Sequence, residues 1–532
     1  MDLKWWQEGI IYQIFLRSFK DSNNDGVGDF NGLISKIDYL KYLGIDAIYI
    51  TPFFPSPYYD SGFDVSNYYD VDSFVGTNED LSKLIEEIHN ANLKLIIDIP
   101  INSTSSKHSW FLKSSKSRDN EFSDFYIWSD EIPNNWLSNF GGSSWTYCEE
   151  RKQYYMHSFS KDLPDLNWRC EDLVVKMLEV LKYYLDLGID GIRLSCSNLI
   201  VKDKDLRDNP KYPGTFTNKY YKQRHVFDRN RPYSHKVIRR IRSLFDEYED
   251  KLLVGDIVVT PPGEPELVAS YYGVYKDEFN LVFDYSIANS KLNPRLFKSL
   301  AQRWIEACDT SWPAWILSGH DNKRLLTRLK KSIPKTRLAT LFLLTQRGTP
   351  FLYYGEELGL EDSIIPKNQQ KDLQRRQLFF FQNSRDGARG PMLWDKNLPN
   401  AGFSEHDPYL PLGNVKKCVV NQQQQDVSML KYYKRLITLR KNHRALVEGD
   451  FTFIDLNDDK IIAYMRTSSD ESLFIILNFS ARNKVIKFSD IALPFIAKTS
   501  IFSTNPLSKS PKFTNNEILL NGYEGAIYSI DI

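Results

Sequence analysis

The sequence predicts a (β/α)8 barrel with an inserted lobe after the third strand and a C-terminal antiparallel β domain. Short β-branched and aromatic runs alternate with amphipathic helical stretches through most of the 532 residues, which is typical of parallel β/α units. Eight such runs can be counted, the number that closes a barrel of this kind. The chain is also longer than the roughly 250–300 residues at which a single core stops growing, so further domains are expected.

The eight barrel strands are predicted in chain order from short apolar runs bounded by polar or turn residues. They lie at residues 10–15, 47–51, 93–97, 191–194, 252–254, 281–283, 315–317 and 351–354. With the helices between them they predict a barrel domain over residues 1–102 and 169–445.

Two irregular stretches interrupt this pattern, and a third region replaces it. Residues 103–168 are rich in Ser, Asn, Trp and Tyr and lack a clear helical period, which predicts an inserted lobe beside the barrel mouth. Residues 361–426 carry Pro, Gly and Gln, are predicted to cover the same face, and precede a helix at 427–443. Residues 446–532 alternate strands (451–454, 461–465, 473–477 and 526–530) with turn residues, which predicts a β-sandwich-like domain.

Composition narrows the class of partner and the compartment. The 68 basic and 68 acidic side chains cancel, which removes the charge pattern of a nucleic-acid or anionic-membrane binder. The five cysteines are odd in number and have no CxxC spacing, so they are interpreted as reduced thiols in a cytosol. No apolar run approaches the roughly 20 residues that span a bilayer. We therefore expect a cytoplasmic protein without a membrane span.

Polar side chains stand at the ends of four predicted strands. In such a barrel the carboxyl ends of all strands converge on one mouth, where catalytic groups lie. The polar groups there are Asp98, Arg193 with Ser195, Asp256, and His320 with Asp321. Each alone is typical of a loop cap, but four strand ends together predict a functional site.

These strand ends lie within longer recognisable segments. The segments are WWQEGIIYQIFLRSFKDSNNDGVGDFNGL near the start, TPFFPSPYYDSGFDVSNYYDV, LPDLNW at 163–168, HDNKR at 320–324 and RGTPFLYYGEELG at 347–359. They resemble the α-amylase family, glycoside hydrolase family 13, over nearly the whole chain. Within that family the resemblance is to oligosaccharide-trimming α-glucosidases and trehalose-synthase-like members, which implies a role in carbohydrate metabolism.

The resemblance implies a retaining mechanism with three acidic positions, and this chain departs from it at two. The family has an Asp nucleophile after the fourth strand, a Glu acid/base after the fifth and a stabilising Asp after the seventh, here Asp321. A retaining pair needs carboxyls about 5–5.5 Å apart. Here the nucleophile position is Ser195, a neutral hydroxyl expected to have no adjacent base. The acid/base position is Asp256, one methylene shorter than Glu, which is expected to misplace the proton.

The implied sugar pocket is altered as well. Ser103 stands where the family has His, and Phe63 replaces a Tyr, so two hydrogen-bonding groups are lost. Six recognition positions match the family: Asp60, Asp98, Arg193, His320, Asp321 and Arg324. The resemblance implies that Arg193 orients the reacting carboxylates and that Asp60 with Arg324 engages the non-reducing-end glucose. The alternative is that these residues form scaffold ion pairs and stabilise loops.

The loop at residues 21–29 predicts a metal site. It places oxygen ligands at alternating positions around a tight glycine turn, as a hard cation requires. The candidate ligands are Asp21, Asn23, Asp25, Val27 and Asp29. Gly32 stands where an EF-hand loop has its bidentate Glu, and a plain Asn/Asp/Gly turn is the alternative. The resemblance implies a structural Ca²⁺ away from the active centre, and no organic cofactor is expected.

Three functions follow from these observations. The first is a catalytically inactive protein that binds an α-glucoside or oligosaccharide, or an unidentified protein partner. The second is an α-glucosidase or transglucosidase with an unconventional centre, in which Asp256 and Asp321 act as acid and base. The third is a purely structural role with a filled mouth. The substitution at Ser195 favours the first.

Overall fold

The computed structural model describes residues 3–212, 219–259, 264–290, 292–309, 311–372, 384–487, 496–505, 513–514 and 517–531. Its strands, in chain order, are β1 (Ile11–Ile14), β2 (Ala47–Ile50), β3 (Lys94–Pro100), β4 (Trp128–Ser129), β5 (Trp145–Cys148), β6 (Gln153–Met156), β7 (Gly191–Ser195), β8 (Leu252–Asp256), β9 (Leu281–Phe283), β10 (Ala314–Ile316), β11 (Thr349–Tyr353), β12 (Asp450–Ile454), β13 (Ile461–Thr467), β14 (Ser472–Asn478), β15 (Lys484–Lys487), β16 (Ile496–Ser503), β17 (Phe513–Thr514), β18 (Glu517–Leu520) and β19 (Gly525–Asp531).

The described helices accompany these strands. They are α1 (Trp5–Glu8), α2 (Phe30–Ile34), α3 (Ile37–Leu43), α4 (Asn78–Asn90), α5 (Ser109–Ser114), α6 (Glu171–Asp186), α7 (Pro232–Phe245), α8 (Pro265–Ala269), α9 (Ser286–Asn289), α10 (Pro294–Cys308), α11 (Leu325–Arg328), α12 (Ile333–Thr345), α13 (Val419–Gln424), α14 (Met429–Asn442) and α15 (Arg444–Val447). In the part of the chain that the structure describes, no helix is long and apolar enough to cross a membrane.

Eight parallel strands close a barrel in the order β1-β11-β10-β9-β8-β7-β3-β2, which confirms the predicted fold class. Alternate strand residues such as Ile11, Tyr49 and Val254 form one buried cluster, and their neighbours in sequence, such as Tyr12 and Ile48, join another. This period of two divides the barrel interior from the layer under the helices. The side chains that end the strands therefore face a common mouth.

The lobe between β3 and β7 forms as predicted, but it contains a helix. Strands β4, β6 and β5 make a small antiparallel sheet, and α5 lies ahead of it. The N-cap of α5 is His108, whose ring nitrogen accepts from the Trp110 N–H at 3.1 Å. Histidine is not among the usual N-cap residues, so the sequence carried no ordinary start signal for this helix.

The C-terminal region is antiparallel. One sheet has the order β12-β13-β14-β19-β16 and a smaller one has the order β15-β18-β17. Side chains from both sheets, including Ile476, Ile486 and Ile518, share one buried cluster. The domain limits at residues 102/103, 168/169 and 445/446 stay predictions. Parts of the predicted segments 361–426 and 446–532 lie outside the described residues.

Two predicted element bounds need correction. Strand β3 runs on to Pro100, so Asp98 lies inside the strand and not after it. The helix expected from residue 427 begins at Met429 because the Ser428 side chain caps it, accepting from the Lys431 N–H at 3.2 Å.

Candidate active site

The site is built from side chains that point into the barrel from adjacent strands. In the parallel pair β3 and β7, Asp98 is opposite Arg193, and Pro100 is opposite Ser195. Asp256 ends β8, the strand on the other side of β7. Residues two apart on a strand face the same side, so Arg193 and Ser195 point together into the mouth.

Arg193 connects the carboxylates on either side of it. Its Nη1 donates to Asp98 Oδ2 at 2.5 Å and its Nη2 donates to Asp256 Oδ2 at 2.5 Å. Asp98 Oδ2 also accepts from the Tyr49 hydroxyl at 2.6 Å. Arg193 and Asp98 are only 2% and 0% exposed, so the two charges stabilise each other in a site that water barely reaches.

Ser195 is hydrogen-bonded on two sides. Its Oγ donates to Asp98 Oδ1 at 2.6 Å and accepts from Arg193 Nη1 at 2.7 Å. The expectation that Ser195 has no adjacent base is therefore wrong: the carboxylate of Asp98 lies directly behind it. The sequence could not show this contact, because it depends on the register between β3 and β7.

Asp256 differs from Asp98 in its surroundings. Burial raises the pKa of Asp256 above its ordinary value, and the carboxylates of Asp321 and Asp98 add to this, while Arg193 and the Cys196 N–H oppose it. Its Oδ1 is buried and has no hydrogen-bond partner among the described residues. A carboxyl in these surroundings favours its protonated form.

Asp321 has the opposite electrostatics. Partial desolvation opposes the shift, yet His320, Arg385 and Arg389 hold the pKa of Asp321 well below its ordinary value. Arg385 Nη1 and Arg389 Nη2 donate to Asp321 Oδ1 at 3.0 and 2.9 Å. His320 Nε2 lies 3.2 Å from Asp321 Oδ2. The His320 ring stacks on Phe63 with centroids 5.1 Å apart, so Phe63 lies in the pocket wall.

Arg385 is a site residue that the sequence analysis missed. Its Nη2 donates to Asp60 Oδ1 at 2.6 Å and to Asp372 at 2.7 Å. Arg324, expected to engage the glucose together with Asp60, is buried elsewhere and donates to the carbonyl of Tyr354 at 2.6 Å. The one feature of the sequence that could have indicated Arg385 is its position in the irregular stretch 361–426, which was predicted to cover the mouth.

Two neighbouring cavities open at these residues. One of about 70 Å³ is lined by Asp60, Phe63, Pro100, Asn102, Ser103, Phe140, Phe159, Leu163, Arg193, Ser195, Cys196, Asp256, Asp321 and Arg385. One of about 220 Å³ is lined by Asn139, Phe140, Phe159, Cys196, Asp256, Ile257, Val258, Val259, Asp284, Tyr285, Ser286, Asn289, Asp321, Asn322 and Arg385. Asp256 and Asp321 border both. Cys196 and the two lobe phenylalanines also border both, and the sequence analysis had not singled them out.

The predicted metal loop is ordered by its own hydrogen bonds. Asp21 accepts from the N–H groups of Asn24 at 2.7 Å and Gly26 at 2.8 Å, and Asp29 caps α2 through the Gly32 N–H at 2.6 Å. Gly26 has a φ of 86°, which favours glycine at the turn.

The all-oxygen donor set of this loop fits Ca²⁺. No cluster of three or more His, Cys, Asp or Glu suited to a metal occurs in the described part of the chain. Asn23 and the Val27 carbonyl would thus have to contribute.

Fold and site together define the class of protein. A closed parallel barrel, a lobe after its third strand, and Asp98, Arg193, Asp256 and Asp321 at one mouth match a carbohydrate-active barrel. The family description "Alpha amylase, catalytic domain" matches residues 13–449. The chain belongs to the α-amylase family.

Individual relatives place it more closely within that family. It is 34% identical over 499 residues to a probable alpha-glucosidase of Rhizobium meliloti, covering 90% of each chain. It is 33% identical over 571 residues to an oligo-1,6-glucosidase of Parageobacillus thermoglucosidasius, covering 100% of each. The solved structure of an alpha-glucosyl transfer enzyme, XgtA, has a TM-score of 0.92 and 32% identity, with 99% of this chain and 100% of that one covered.

Proposed function

We propose that this chain binds a terminal α-glucosyl unit in the barrel mouth and does not carry out the double displacement of retaining glycosidases. The observation behind this proposal is Ser195 at the end of β7, with its Oγ held between Asp98 and Arg193. A glycosyl-enzyme needs an ionised carboxylate against the anomeric carbon, and Ser195 offers a neutral hydroxyl. Loss of the nucleophile in another hydrolase class costs roughly 10⁶ in kcat.

Retained polar groups around the small cavity support sugar binding. Asp60, Arg385 and Asp321 form a linked carboxylate and guanidinium cluster on its wall. Such charged pairs hold vicinal hydroxyls through strong directional hydrogen bonds. The names of the relatives indicate α-glucosidic ligands. A purely structural role would require a filled mouth, and two cavities at these residues argue against it.

A second candidate is a slow α-glucosidase or transglucosidase. The observation that favours it is the opposite pKa shift of two carboxyls that border both cavities: Asp256 is raised and Asp321 is lowered. Environments that separate two pKa values in this way are typical of acid and base pairs. Under this reading Asp256 protonates the leaving group and Asp321 stays ionised.

Calorimetry with maltose and hydrolysis of an aryl α-glucoside test the proposal together. The wild type should bind maltose with measurable heat, and Asp60→Ala should remove that heat, while the exposed-site control Asp470→Ala should keep it. A Ser195→Asp, Asp256→Glu double variant should hydrolyse the aryl glucoside faster than the wild type and with retained configuration.

Either of two results contradicts the proposal. The absence of binding heat for glucose and maltose removes the sugar-binding function. Wild-type hydrolysis at the rate of the double variant, with retained configuration, shows that double displacement survives without a carboxylate at position 195.

We also propose a reducing compartment and a bound Ca²⁺ for this protein. All five cysteines are free, which supports an intracellular location. The oxygen donors of the loop at residues 21–29 support the cation.

A further inference from the structure

A cavity lies beside the residue that replaces the family nucleophile. Ser195 borders the cavity of about 70 Å³ together with Asp256 and Phe63. One water molecule needs only about 10–15 Å³ of such space, so water or a three-atom anion fits beside the hydroxyl. Ser195 stands at the family's nucleophile position, so a small molecule seated beside it would approach C1 from the face that the nucleophile uses.

The hydrogen bonds of Ser195 leave one acceptor position free. A hydroxyl has one donor and two acceptor lone pairs. Ser195 Oγ uses its proton on Asp98 Oδ1 and one lone pair on Arg193 Nη1. The second lone pair is left to accept a proton from a small molecule in the cavity. Ser195 therefore lies between that molecule and a buried carboxylate.

A proton donor for the leaving oxygen of the aglycone is present as well. Asp256 is 5% exposed, and its Oδ1 has no partner within the described structure. Burial raises the pKa of Asp256 above its ordinary value, which makes this carboxyl a better proton donor than a solvated aspartate. Inverting glycosidases combine such an acid with a base set back far enough, about 6.5–9.5 Å between carboxyls, to admit a water. Asp98 accepts from Ser195 Oγ at 2.6 Å, so this carboxylate is set back from the cavity by one hydroxyl.

We propose that the mouth carries out single displacement with inversion, in which a small nucleophile seated against Ser195 attacks the anomeric carbon. This rests on the proposed binding of an α-glucosyl unit at the same site. The oxygen of water forms the new bond to C1 while the C1–aglycone bond breaks. The water proton passes to Ser195 Oγ as the serine proton passes to Asp98 Oδ1, and Asp256 gives its proton to the leaving oxygen. The sugar product is the β-anomer.

An anionic nucleophile gives the same displacement without the proton relay. Azide carries no proton to remove, so its attack does not need the proton relay through Ser195 to Asp98. It still needs Asp256 to protonate the leaving oxygen. The reaction with water and the reaction with azide therefore separate the positioning role of Ser195 from the binding of the sugar.

The test is proton NMR of p-nitrophenyl α-glucoside turnover by the wild type, with and without azide. We expect β-glucose as the first product in buffer and β-glucosyl azide with faster release of nitrophenol when azide is added. Ser195→Ala should lower the reaction with water about a hundredfold, within the range of general-base contributions. It should keep the azide reaction within about threefold, which also reports that the variant is folded. Ser35→Ala, at an exposed position, is the matched control and should change neither.

The outcomes distinguish this inference from the proposed function. Maltose binding without any azide reaction overturns the inference and leaves the binding function in place. First-formed α-glucose, or equal loss of both reactions in Ser195→Ala, also overturns it. Absence of maltose binding overturns the proposed function itself.

Discussion

Glu356 is a carboxyl that the fold buries just after β11. Burial raises its pKa to about 8, and its nearest polar partner is the Ser318 hydroxyl. Below about pH 4.5 the carboxyl is protonated in the folded and unfolded chains alike. As the pH rises toward 8, the unfolded chain loses the proton first, so stability falls through this window.

The neutral variant Glu356→Gln should therefore be more stable than the wild type at pH 8 and similar to it at pH 4.5. At about 1.4 kcal/mol per pKa unit, the rise from 4.5 to about 8 makes the gain at pH 8 on the order of 4 kcal/mol. Thermal unfolding at both pH values measures it. Glu149→Gln, at an exposed position, is the control. An equal effect of Glu356→Gln at both pH values would contradict the ionisation argument.

The sequence predicts a site residue correctly where that residue ends a barrel strand. It does not predict contacts between segments that only the fold brings together. Ser195 and Asp256 were identified from the strands that they end. The contact between Ser195 and Asp98 and the pairing of Asp60 with Arg385 join residues 97 and 325 positions apart. No local pattern encodes such contacts, so the sequence did not indicate Arg385, whereas Arg324 followed from the family resemblance.

At the scale of elements, the loop at residues 21–29 should couple the stability of the protein to Ca²⁺. If its oxygens bind Ca²⁺, saturating Ca²⁺ should raise the melting temperature and a chelator should lower it. A cation at about 100 times its Kd adds roughly 2.7 kcal/mol to the stability. Asp25→Ala should remove the response, because Asp25 is an exposed ligand candidate whose loss spares the buried Asp21.

The control for the loop is Asp119→Ala, an exposed aspartate in a different loop. It should keep the full Ca²⁺ response. A response that survives Asp25→Ala, or a wild type whose melting temperature ignores Ca²⁺, indicates a plain turn held by its own hydrogen bonds.

Elements were predictable to the extent that apolar periodicity defines them. All eight barrel strands lie where the alternation of apolar runs predicted them, because burial on both faces leaves continuous apolar segments. The observed strand ends differ from the predicted ones by up to three residues, as at the end of β3. Helix α5 was missed because a histidine caps it and its few residues do not repeat a helical period.

At the scale of the whole molecule, two buried arginines join the barrel to the C-terminal sheet. Arg440 and Arg466 both donate to the carbonyl of Leu446 at 2.9 Å. Arg466 also reaches the carbonyl of Thr345, at the end of α12, at 2.6 Å, and that of Gly449 at 2.9 Å. The carbonyls of Thr345 and Gly449, from two regions of the chain, thus depend on Arg466, while that of Leu446 also accepts from Arg440.

Arg466→Met should destabilise the junction, because buried carbonyls without a donor cost about 1–3 kcal/mol each. Calorimetric scanning should show a total loss of about 3 kcal/mol or more, with the C-terminal region melting before the barrel. Arg482→Met, at an exposed position of the same region, should unfold like the wild type. A single unshifted transition in Arg466→Met would show that the junction does not need these bonds.

The thiol of Cys196 gives the mouth a property that lies outside sugar chemistry. It borders both cavities, and burial beside Asp256 raises the pKa of this thiol well above its ordinary value. At neutral pH it therefore stays protonated and reacts slowly with electrophiles, since the thiolate is the reactive form. Because Cys196 lines both cavities, a molecule bound in the mouth should shield the sulfur. The rate at which the Cys196 thiol is alkylated should therefore report the fraction of molecules whose mouth is unoccupied.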